Sequence, residues 1–195
     1  LGDVYKRQEI HRKTNEPDIE LRLSLDGGSR DISTGVGFFD HMLTALCVHG
    51  GLGLALRARG DLEVDCHHTV EDVGIVLGQA LKEALGDRSG IKRYGHAFIP
   101  MDEALGFCAL DISGRTFLVF EGDFPQAVTG AFDCCMTEEF FRAVAMNAEI
   151  TLHLRCGYGK NSHHMIEAMF KAFAHALKDA AEVTEGGVLS SKGVL

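Results

Sequence analysis

Basic residues are scarce in this sequence, and long apolar runs are missing from it. The 195 residues include 19 lysines and arginines against 28 aspartates and glutamates, which gives a net charge of −9. That balance excludes broad nucleic-acid binding, which needs a basic face. No apolar run approaches the roughly 20 residues of a membrane-spanning helix. We therefore expect no nucleic-acid partner and no membrane partner, and the 46% of apolar residues indicates an ordinary soluble globular protein.

Paired cysteine motifs are also missing. The six cysteines show no Cys-x-x-Cys pair or small-domain spacing, and they lie at positions 47, 66, 108, 134, 135 and 156. Four of them fall inside apolar stretches, so we interpret the set as buried free thiols in a reducing compartment, which favours the cytoplasm. Residues 1–8 lack a starting methionine, signal-peptide character and amphipathic character. We exclude them from the fold as non-native or disordered.

The pattern of apolar residues predicts an α+β protein built from two similar halves. In the first half, 9–90, we predict strands at 9–14 and 19–25, a Ser/Thr/Gly loop, a helix at 38–49, strands at 52–59 and 61–64, and a helix at 69–85. In the second half, 91–195, we predict strands at 95–100, 104–112 and 116–121, a helix at 137–148, a strand at 150–155 and a helix at 163–181. Ser113-Gly114-Arg115 is typical of a hairpin turn. Each half is β-β-α-β-α with an optional third strand, and we expect central helices between two outer sheets.

A His-His-x-x-Glu motif occurs twice in the chain. Its first copy is His67, His68 and Glu71, and its second copy, ninety-six residues later, is His163, His164 and Glu167. Aligned over 67–86 and 163–182, the two segments also share an Ala-Leu-Lys-acidic-Ala run. A chance match of this kind across rare residue types is improbable. The repeat therefore indicates a duplicated unit with a duplicated site.

The spacing of this motif predicts how a site would be built. On a helix, both histidines lie three or four residues from the glutamate and thus near one face with it. Adjacent histidines, however, point about 100° apart, so the two can hardly chelate one ion together. One histidine of each pair can serve one metal and its neighbour another. Four imidazoles and two carboxylates suit a pair of Mn-, Fe- or Zn-like ions. The alternative is histidines on a solvated helix N-terminus, which two matched copies disfavour.

Other residues carry weaker signals. His41 begins the first short predicted helix, and Glu139 occupies the corresponding place in the second half, so each half offers one further candidate ligand. His153 is either a buried hydrogen-bonded histidine or a support for the site. Three basic residues in predicted loops would suit an anion such as phosphate, although solvated loop charge is the better interpretation of spacing alone: Arg93, Arg115 and Lys192. By composition the tail, 185–195, is disordered.

Six motifs together carry a resemblance to a known family. They are Phe-Phe-Asp-His-Met-Leu (38–43), Asp-Cys-His-His-Thr-Val-Glu-Asp (65–72), Pro-Met-Asp-Glu-Ala-Leu (100–105), Ser-Gly-Arg (113–115), Asn-Ser-His-His-Met-Ile-Glu-Ala-Met-Phe-Lys-Ala-Phe (161–173) and Ser-Ser-Lys-Gly-Val-Leu (190–195). From about residue 9 to 195, in order, the chain closely resembles imidazoleglycerol-phosphate dehydratases of histidine biosynthesis.

The resemblance implies a fold, an assembly and a reaction. The fold would be the duplicated ribosomal protein S5 domain 2-like arrangement, with helices between two sheets. The assembly would be a cage of twenty-four identical subunits in the cytoplasm, with active sites between chains. Each active site would hold two Mn²⁺ ions. The small-molecule phosphate substrate, imidazole glycerol phosphate, would be dehydrated to imidazole acetol phosphate.

The resemblance also implies roles for single residues. The metal ligands would be His41, His67, His68, Glu71, Glu139, His163, His164 and Glu167. The substrate contacts would be Glu16, His49, Arg93, Asp102, Arg115, Lys171, Ser190, Ser191 and Lys192. The acid/base candidates would be Glu16, Glu71 and Glu167. The chain departs from the family at Glu139, often His in relatives, and at Ala45, often Gln; a carboxylate remains a legitimate manganese ligand.

The implied chemistry explains why metals are needed. The proton to be removed lies on a carbon with no adjacent carbonyl, so an ordinary side-chain base cannot reach its pKa. Two metals on the imidazole nitrogens would favour the imidazolate, and a glutamate would then shuttle protons. Two other functions remain open from the residues alone. A dinuclear hydrolase would use similar ligands, and a metal-storage shell would have no use for the three basic loop residues.

Overall fold

The structure, a computed structural model, describes residues 7–14, 17–185, 187, 189 and 190. Its first half contains these elements in order: β1 (Arg7–Lys13), β2 (Asp18–Ser24), β3 (Arg30–Ser33), α1 (Gly37–Gly50), β4 (Gly53–Arg59) and α2 (His67–Leu85). Its second half contains β5 (Tyr94–Met101), β6 (Ala104–Asp111), β7 (Phe117–Glu121), β8 (Val128–Thr129), β9 (Phe132–Asp133), α3 (Met136–Ala148), β10 (Thr151–Cys156) and α4 (Ser162–Ala180).

The two four-stranded sheets have the same topology. Their strand orders are β1-β2-β4-β3 and β5-β6-β10-β7. The two orders are the same, because β5, β6, β7 and β10 of the second half correspond to β1, β2, β3 and β4 of the first. In each sheet the third strand, β3 or β7, pairs in parallel with the strand that follows the short helix. The other pairings are antiparallel. The duplicated α+β architecture predicted from the paired motifs is thus confirmed.

Four local predictions were wrong. Arg7 and Gln8, which we excluded from the fold, begin β1 and pair with Ser24 and Leu23. The strand predicted at 61–64 is a turn, in which Val64 N–H donates to the Asp61 carbonyl at 2.8 Å. The predicted hairpin at 113–115 does turn the chain, with Gly114 at φ +74°, but β10 inserts between β6 and β7. Local turn chemistry does not determine which strand becomes the neighbour. The strand β3 was missed because its exposed, polar sequence gives no apolar alternation.

Alternating and helical apolar faces place the core between the sheets. In β2, Ile19, Leu21 and Leu23 are buried and face inward, while their neighbours face out. The long helix α2 packs on β1 and β2, and α4 packs in the same way on β5 and β6. The short helices complete the layer, since α1 lies against α4 and α3 against α2. Thus each short helix packs on the long helix of the other half.

Glycines permit the close approach of α2 and α3. A Cβ atom at Gly74 would lie 2.8 Å from the Phe140 carbonyl oxygen, and one at Gly78 would lie 2.8 Å from the Val144 carbonyl oxygen. Such short contacts are not tolerated, so a larger residue would push the helices apart. Within the described part of the chain, no helix combines the length and apolar character needed to span a membrane.

Candidate active site

Two histidines and a glutamate meet where α1 and α4 begin side by side. His163 Nε2 lies 3.2 Å from Glu167 Oε2, and His41 Nε2 lies 3.5 Å from the same oxygen. One ligand atom from each residue falls within 4.8 Å of the other two. We call these three residues the first cluster. It joins a histidine of the first half to the second copy of the repeated motif.

Local sequence explains why the first cluster forms. Asn161 caps α4, because its side-chain oxygen accepts the His163 N–H at 2.9 Å. The Phe38 ring packs edge-on against the His163 ring, with 4.9 Å between centroids. The cap and the aromatic contact fix the backbone and the ring plane of His163 before any ligand binds. His163 is four residues from Glu167, so both side chains share one helix face.

Glu167 is the buried member of the first cluster, with a side chain only 8% exposed. Burial alone would raise its pKa, but Lys171 Nζ at 2.7 Å and the two nearby histidines outweigh burial and lower it. Lys171 also contacts the Met101 sulfur at 3.6 Å. The glutamate is therefore held ionised near neutral pH, as a metal ligand must be.

The first copy of the motif forms a more open second cluster. His67 Nε2 lies 3.5 Å from Glu71 Oε2, and both side chains are about half exposed. Glu139 lines the same cavity as His67, together with Cys135. Its carboxylate accepts from Arg142 Nε at 3.3 Å, so Glu139 faces its own helix and does not contact the pair.

The other histidine of each motif is held elsewhere by a carboxylate. His68 Nδ1 contacts Asp61 Oδ2 at 2.9 Å, and His164 Nδ1 contacts Glu103 Oε2 at 2.8 Å. The ring centroids of the adjacent histidines are 6.0 Å apart in both motifs, as helical spacing predicts. The Glu103 contact raises the pKa of His164.

Glu103 itself is held by three donors. Besides His164, the backbone N–H groups of Lys160 and Asn161 donate to its carboxylate at 3.0 and 2.8 Å. Chiefly through the His164 contact, these hydrogen bonds lower the pKa of Glu103 to about 2. Glu103 thus joins the β5–β6 turn to the start of α4.

Two arginines converge on one aspartate at the other end of α4. Arg93 Nε and Nη2 donate to the two carboxylate oxygens of Asp111 at 2.7 and 3.1 Å. Arg115 Nη2 donates to Asp111 Oδ2 at 3.4 Å. Arg93 Nη1 also donates to the carbonyl oxygen of Leu189, next to Ser190, which is half-buried. We call Arg93, Asp111 and Arg115 the arginine cluster.

The remaining candidate residues lie in several places. His49 Nδ1 is 3.2 Å from His175 Nε2 where α1 and α4 end, and burial is the main cause that lowers the pKa of His49. Asp102, at φ +47°, lies 3.6 Å from His164 Nε2. His153 is exposed on β10, so it is not a buried hydrogen-bonded histidine. Three candidates fall outside the described residues: Glu16, Ser191 and Lys192.

The cysteines and Ala45 are largely buried. None of the six thiols forms a disulfide, and all except Cys135 are buried. Ala45, where related sequences often carry glutamine, is buried within α1.

The sequence patterns did not identify three carboxylates that contact candidate site residues. Asp61 and Asp111 carry no motif of their own, and Glu103 was a weak signal as part of a carboxylate pair at a strand junction. Each becomes visible only through the partner that folding brings to it: His68, His164 or Arg93.

Comparisons with known proteins identify the family to which the chain is similar. The family profile described as imidazoleglycerol-phosphate dehydratase matches residues 34–177. The enzyme of that name from Clostridium kluyveri is 54% identical over 190 residues, which cover 96% of this chain and 98% of that protein. The one from Bacillus thuringiensis is 58% identical over 187 residues, covering 94% and 96%.

Solved structures show the same fold. The imidazoleglycerol-phosphate dehydratase from Staphylococcus aureus aligns with a TM-score of 0.84 at 43% identity, covering 91% of this chain and 99% of that one. The enzyme from Pyrococcus furiosus gives 0.84 at 35% identity, covering 95% and 100%. With the paired motifs on two long helices and relatives this similar over nearly its full length, the chain belongs to the imidazoleglycerol-phosphate dehydratase family, the hydro-lyases that carry out a dehydration in histidine biosynthesis.

Proposed function

We propose that the chain dehydrates D-erythro-imidazole glycerol phosphate to imidazole acetol phosphate, with two Mn²⁺ ions in each active site. The observation that carries this proposal is the first cluster, in which His41, His163 and Glu167 offer ligand atoms within 4.8 Å of one another. Family membership supplies the reaction class, and the cluster supplies a reason for metal dependence.

The donor set fits a divalent first-row metal. Two imidazole nitrogens and one ionised, buried carboxylate are a mixture of borderline and hard ligands that suits manganese. The Lys171 contact at 2.7 Å keeps the second oxygen of Glu167 oriented, as hydrogen bonds to ligating carboxylates commonly do. The ligands of the second metal ion would be His67, Glu71 and Glu139, once the Glu139 side chain has rotated away from Arg142.

One chain cannot supply a whole site for this substrate. The first cluster lies at the start of α4, whereas Arg93 N–H donates to the Ala180 carbonyl at its end, at 2.9 Å. Along α4, Ala180 lies about 26 Å from His163 and about 20 Å from Glu167, at 1.5 Å per residue. A substrate with an imidazole at one end and a phosphate at the other is far shorter. We infer that different copies of the chain supply its metal site and its phosphate site.

The second histidines support sites shared between chains. The side chains of His68 and His164 point away from the cluster at the start of their own helix. Asp61 orients His68, and Glu103 orients His164. Carboxylates that hydrogen-bond one ring nitrogen of a histidine typically orient the imidazole so that its other nitrogen can bind a metal. We infer that both histidines complete the metal sites of neighbouring copies, and that the assembly is a homo-oligomer of twenty-four subunits. The free thiols suit the cytoplasm.

The chain's own residues have distinct tasks in the reaction. Bound metal ions would acidify the substrate imidazole and so ease loss of the neighbouring C–H proton. Glu71, with a half-exposed side chain, and Glu16, by resemblance, are our candidates to take and return protons. Glu167, engaged by Lys171 and the cluster histidines, is a weaker base and chiefly holds the metal. The arginine cluster would bind the phosphate.

The test is turnover of imidazole glycerol phosphate with manganese, run beside size-exclusion light scattering. Wild-type protein should form imidazole acetol phosphate as a large particle. Glu167→Gln should lose at least about a hundredfold in kcat/KM together with its manganese. Glu121→Gln, on the exposed end of β7, is the matched control and should change neither. A wild-type protein without turnover, or an active monomer, would contradict the proposal.

A further inference from the structure

We propose that Asp111 is a positioning residue for the substrate phosphate, which it serves by fixing Arg93 and attracting Arg115 without touching the phosphate itself. The inference rests on the proposed function, because it assumes a phosphorylated substrate, and it adds a residue that no motif identifies. A carboxylate beside a phosphate site would ordinarily repel the ligand, so its presence there calls for a physical reason.

The arginine cluster combines a fixed arginine with an exposed one. The Arg93 side chain is 9% exposed and forms a two-point contact with Asp111, whereas the Arg115 side chain is 71% exposed and makes a single longer contact. Arg–carboxylate pairs with two parallel hydrogen bonds restrict the guanidinium plane strongly. Asp111 therefore sets the plane of Arg93 and limits where Arg115 can reach.

Backbone geometry also fixes Arg93. Its φ of +74° lies in the left-handed region, which non-glycine residues adopt rarely. Two backbone hydrogen bonds hold this conformation: Arg93 N–H donates to Ala180, and Ile112 N–H donates to the Arg93 carbonyl at 3.0 Å. Unfavourable conformations of this kind persist where the surroundings over-determine them, commonly at binding sites.

The net charge of the arginine cluster explains why a carboxylate is compatible with an anion site. Two guanidinium groups around one carboxylate leave a net charge of about +1, in a chain whose net charge is −9. Without Asp111, Arg93 would be a buried cation without its partner, and the two arginines would repel each other. With it, both cations are held close together before an anion arrives, which lowers the ordering cost of binding.

The same cluster contacts the C-terminal segment. Arg93 Nη1 donates to the carbonyl oxygen of Leu189, and Ser190 follows directly. Of the three guanidinium nitrogens of Arg93, two contact Asp111 and one contacts this segment. Asp111 thus orients the arginine that meets the segment containing Ser190.

The test compares Asp111→Asn with wild type by calorimetric binding of inorganic phosphate and by kinetics. We expect phosphate affinity to fall about tenfold, and KM for imidazole glycerol phosphate to rise by a similar factor, with kcat within about threefold. Affinity for imidazole, which has no phosphate, and manganese content should not change. If Asp111 only competed with phosphate for the arginines, its removal would raise the phosphate affinity instead of lowering it. Tighter or unchanged phosphate binding overturns the proposal.

A second variant and a control complete the design. Asp111→Glu keeps the charge but displaces the guanidinium groups, so it too should weaken phosphate binding; it decides the question if Asp111→Asn does not fold. Asp179→Asn removes an exposed carboxylate that pairs with Lys92 at 2.9 Å and should leave phosphate affinity unchanged. Phosphate binding is measured without turnover, so failure of the proposed reaction would be seen separately in the wild-type assay.

Discussion

At the residue scale, the repeated motif separates two kinds of histidine. His163 and His67 each contact the glutamate four residues later, while His164 and His68 contact carboxylates from other segments. The difference follows from the 100° step between adjacent helix positions, so it could be predicted from the two adjacent histidines in the sequence. The identity of the partner carboxylates does not follow, because Asp61 and Glu103 come from different parts of the two halves.

A single-residue prediction tests the first cluster. His41→Ala removes one imidazole of the first cluster but little packing, because the side chain is half exposed. We expect manganese per chain, measured by elemental analysis, to fall clearly below the wild-type value. His153→Ala removes an exposed histidine of the outer sheet face and is the control. Equal manganese in all three proteins would rule out His41 as a ligand.

At the element scale, the close contact of α2 and α3 depends on glycine. Gly74→Ala places a methyl group 2.8 Å from the Phe140 carbonyl oxygen and from the Ala143 Cβ, so the helices must separate. Overpacking of this kind costs about 1–3 kcal/mol in the free energy of unfolding. Gly37→Ala at the start of α1 meets nothing within 4 Å and is the matched control.

Urea unfolding monitored by circular dichroism measures the effect of both substitutions. The unfolding midpoint of Gly74→Ala should fall, and that of Gly37→Ala should stay at or slightly above the wild-type midpoint, since alanine favours helix over glycine. Equal midpoints for Gly74→Ala and wild type would show that the two helices can move apart at no cost.

The end of α3 offers a pH-dependent contact. Glu149 accepts from Lys82 at 2.5 Å and from Arg88 at 2.9 Å, and these contacts lower the pKa of Glu149 below the ordinary value of 4.5. A group with a depressed pKa stabilises the fold above its unfolded pKa, and that contribution is lost as pH falls through the folded value.

We therefore expect Glu149→Gln to lower the melting temperature at pH 7, with a loss of about 0.5–1 kcal/mol for a partly exposed ion pair. The difference from wild type should shrink as pH falls below 4.5 and then vanish. Thermal melts across this pH range measure it. A constant difference at all pH values would mean that shape, and not charge, is responsible.

Much of the fold was predictable from local patterns, and the pairing of strands was not. Helix periodicity predicted the four helices that the described residues form, and strand patterns predicted β2 and β6. The position of β10 between β6 and β7 depends on contacts between strands far apart in sequence, which no turn signal encodes. The arginine cluster has the same character, since Arg93 and Asp111 meet only because β5 and β6 pair.

At the scale of the whole molecule, metal and assembly should be coupled. If ligands from different copies share one ion, a chelator should reduce the particle mass measured by light scattering, and manganese should restore it. In that case metal would bind only the folded, assembled form, so its removal should also lower the melting temperature. A particle of unchanged mass after complete metal removal would mean that subunit contacts alone hold the assembly.

The crosswise packing of the helices has a consequence for the history of the chain. Because α1 rests on α4 and α2 on α3, a single half would leave the inner faces of both its helices in water. An ancestral protein of one half could have buried them only against a second copy of itself. Gene duplication and fusion would then have turned contacts between two molecules into contacts within one. The joining of His41 from one half with His163 and Glu167 from the other is what such a fusion would leave behind.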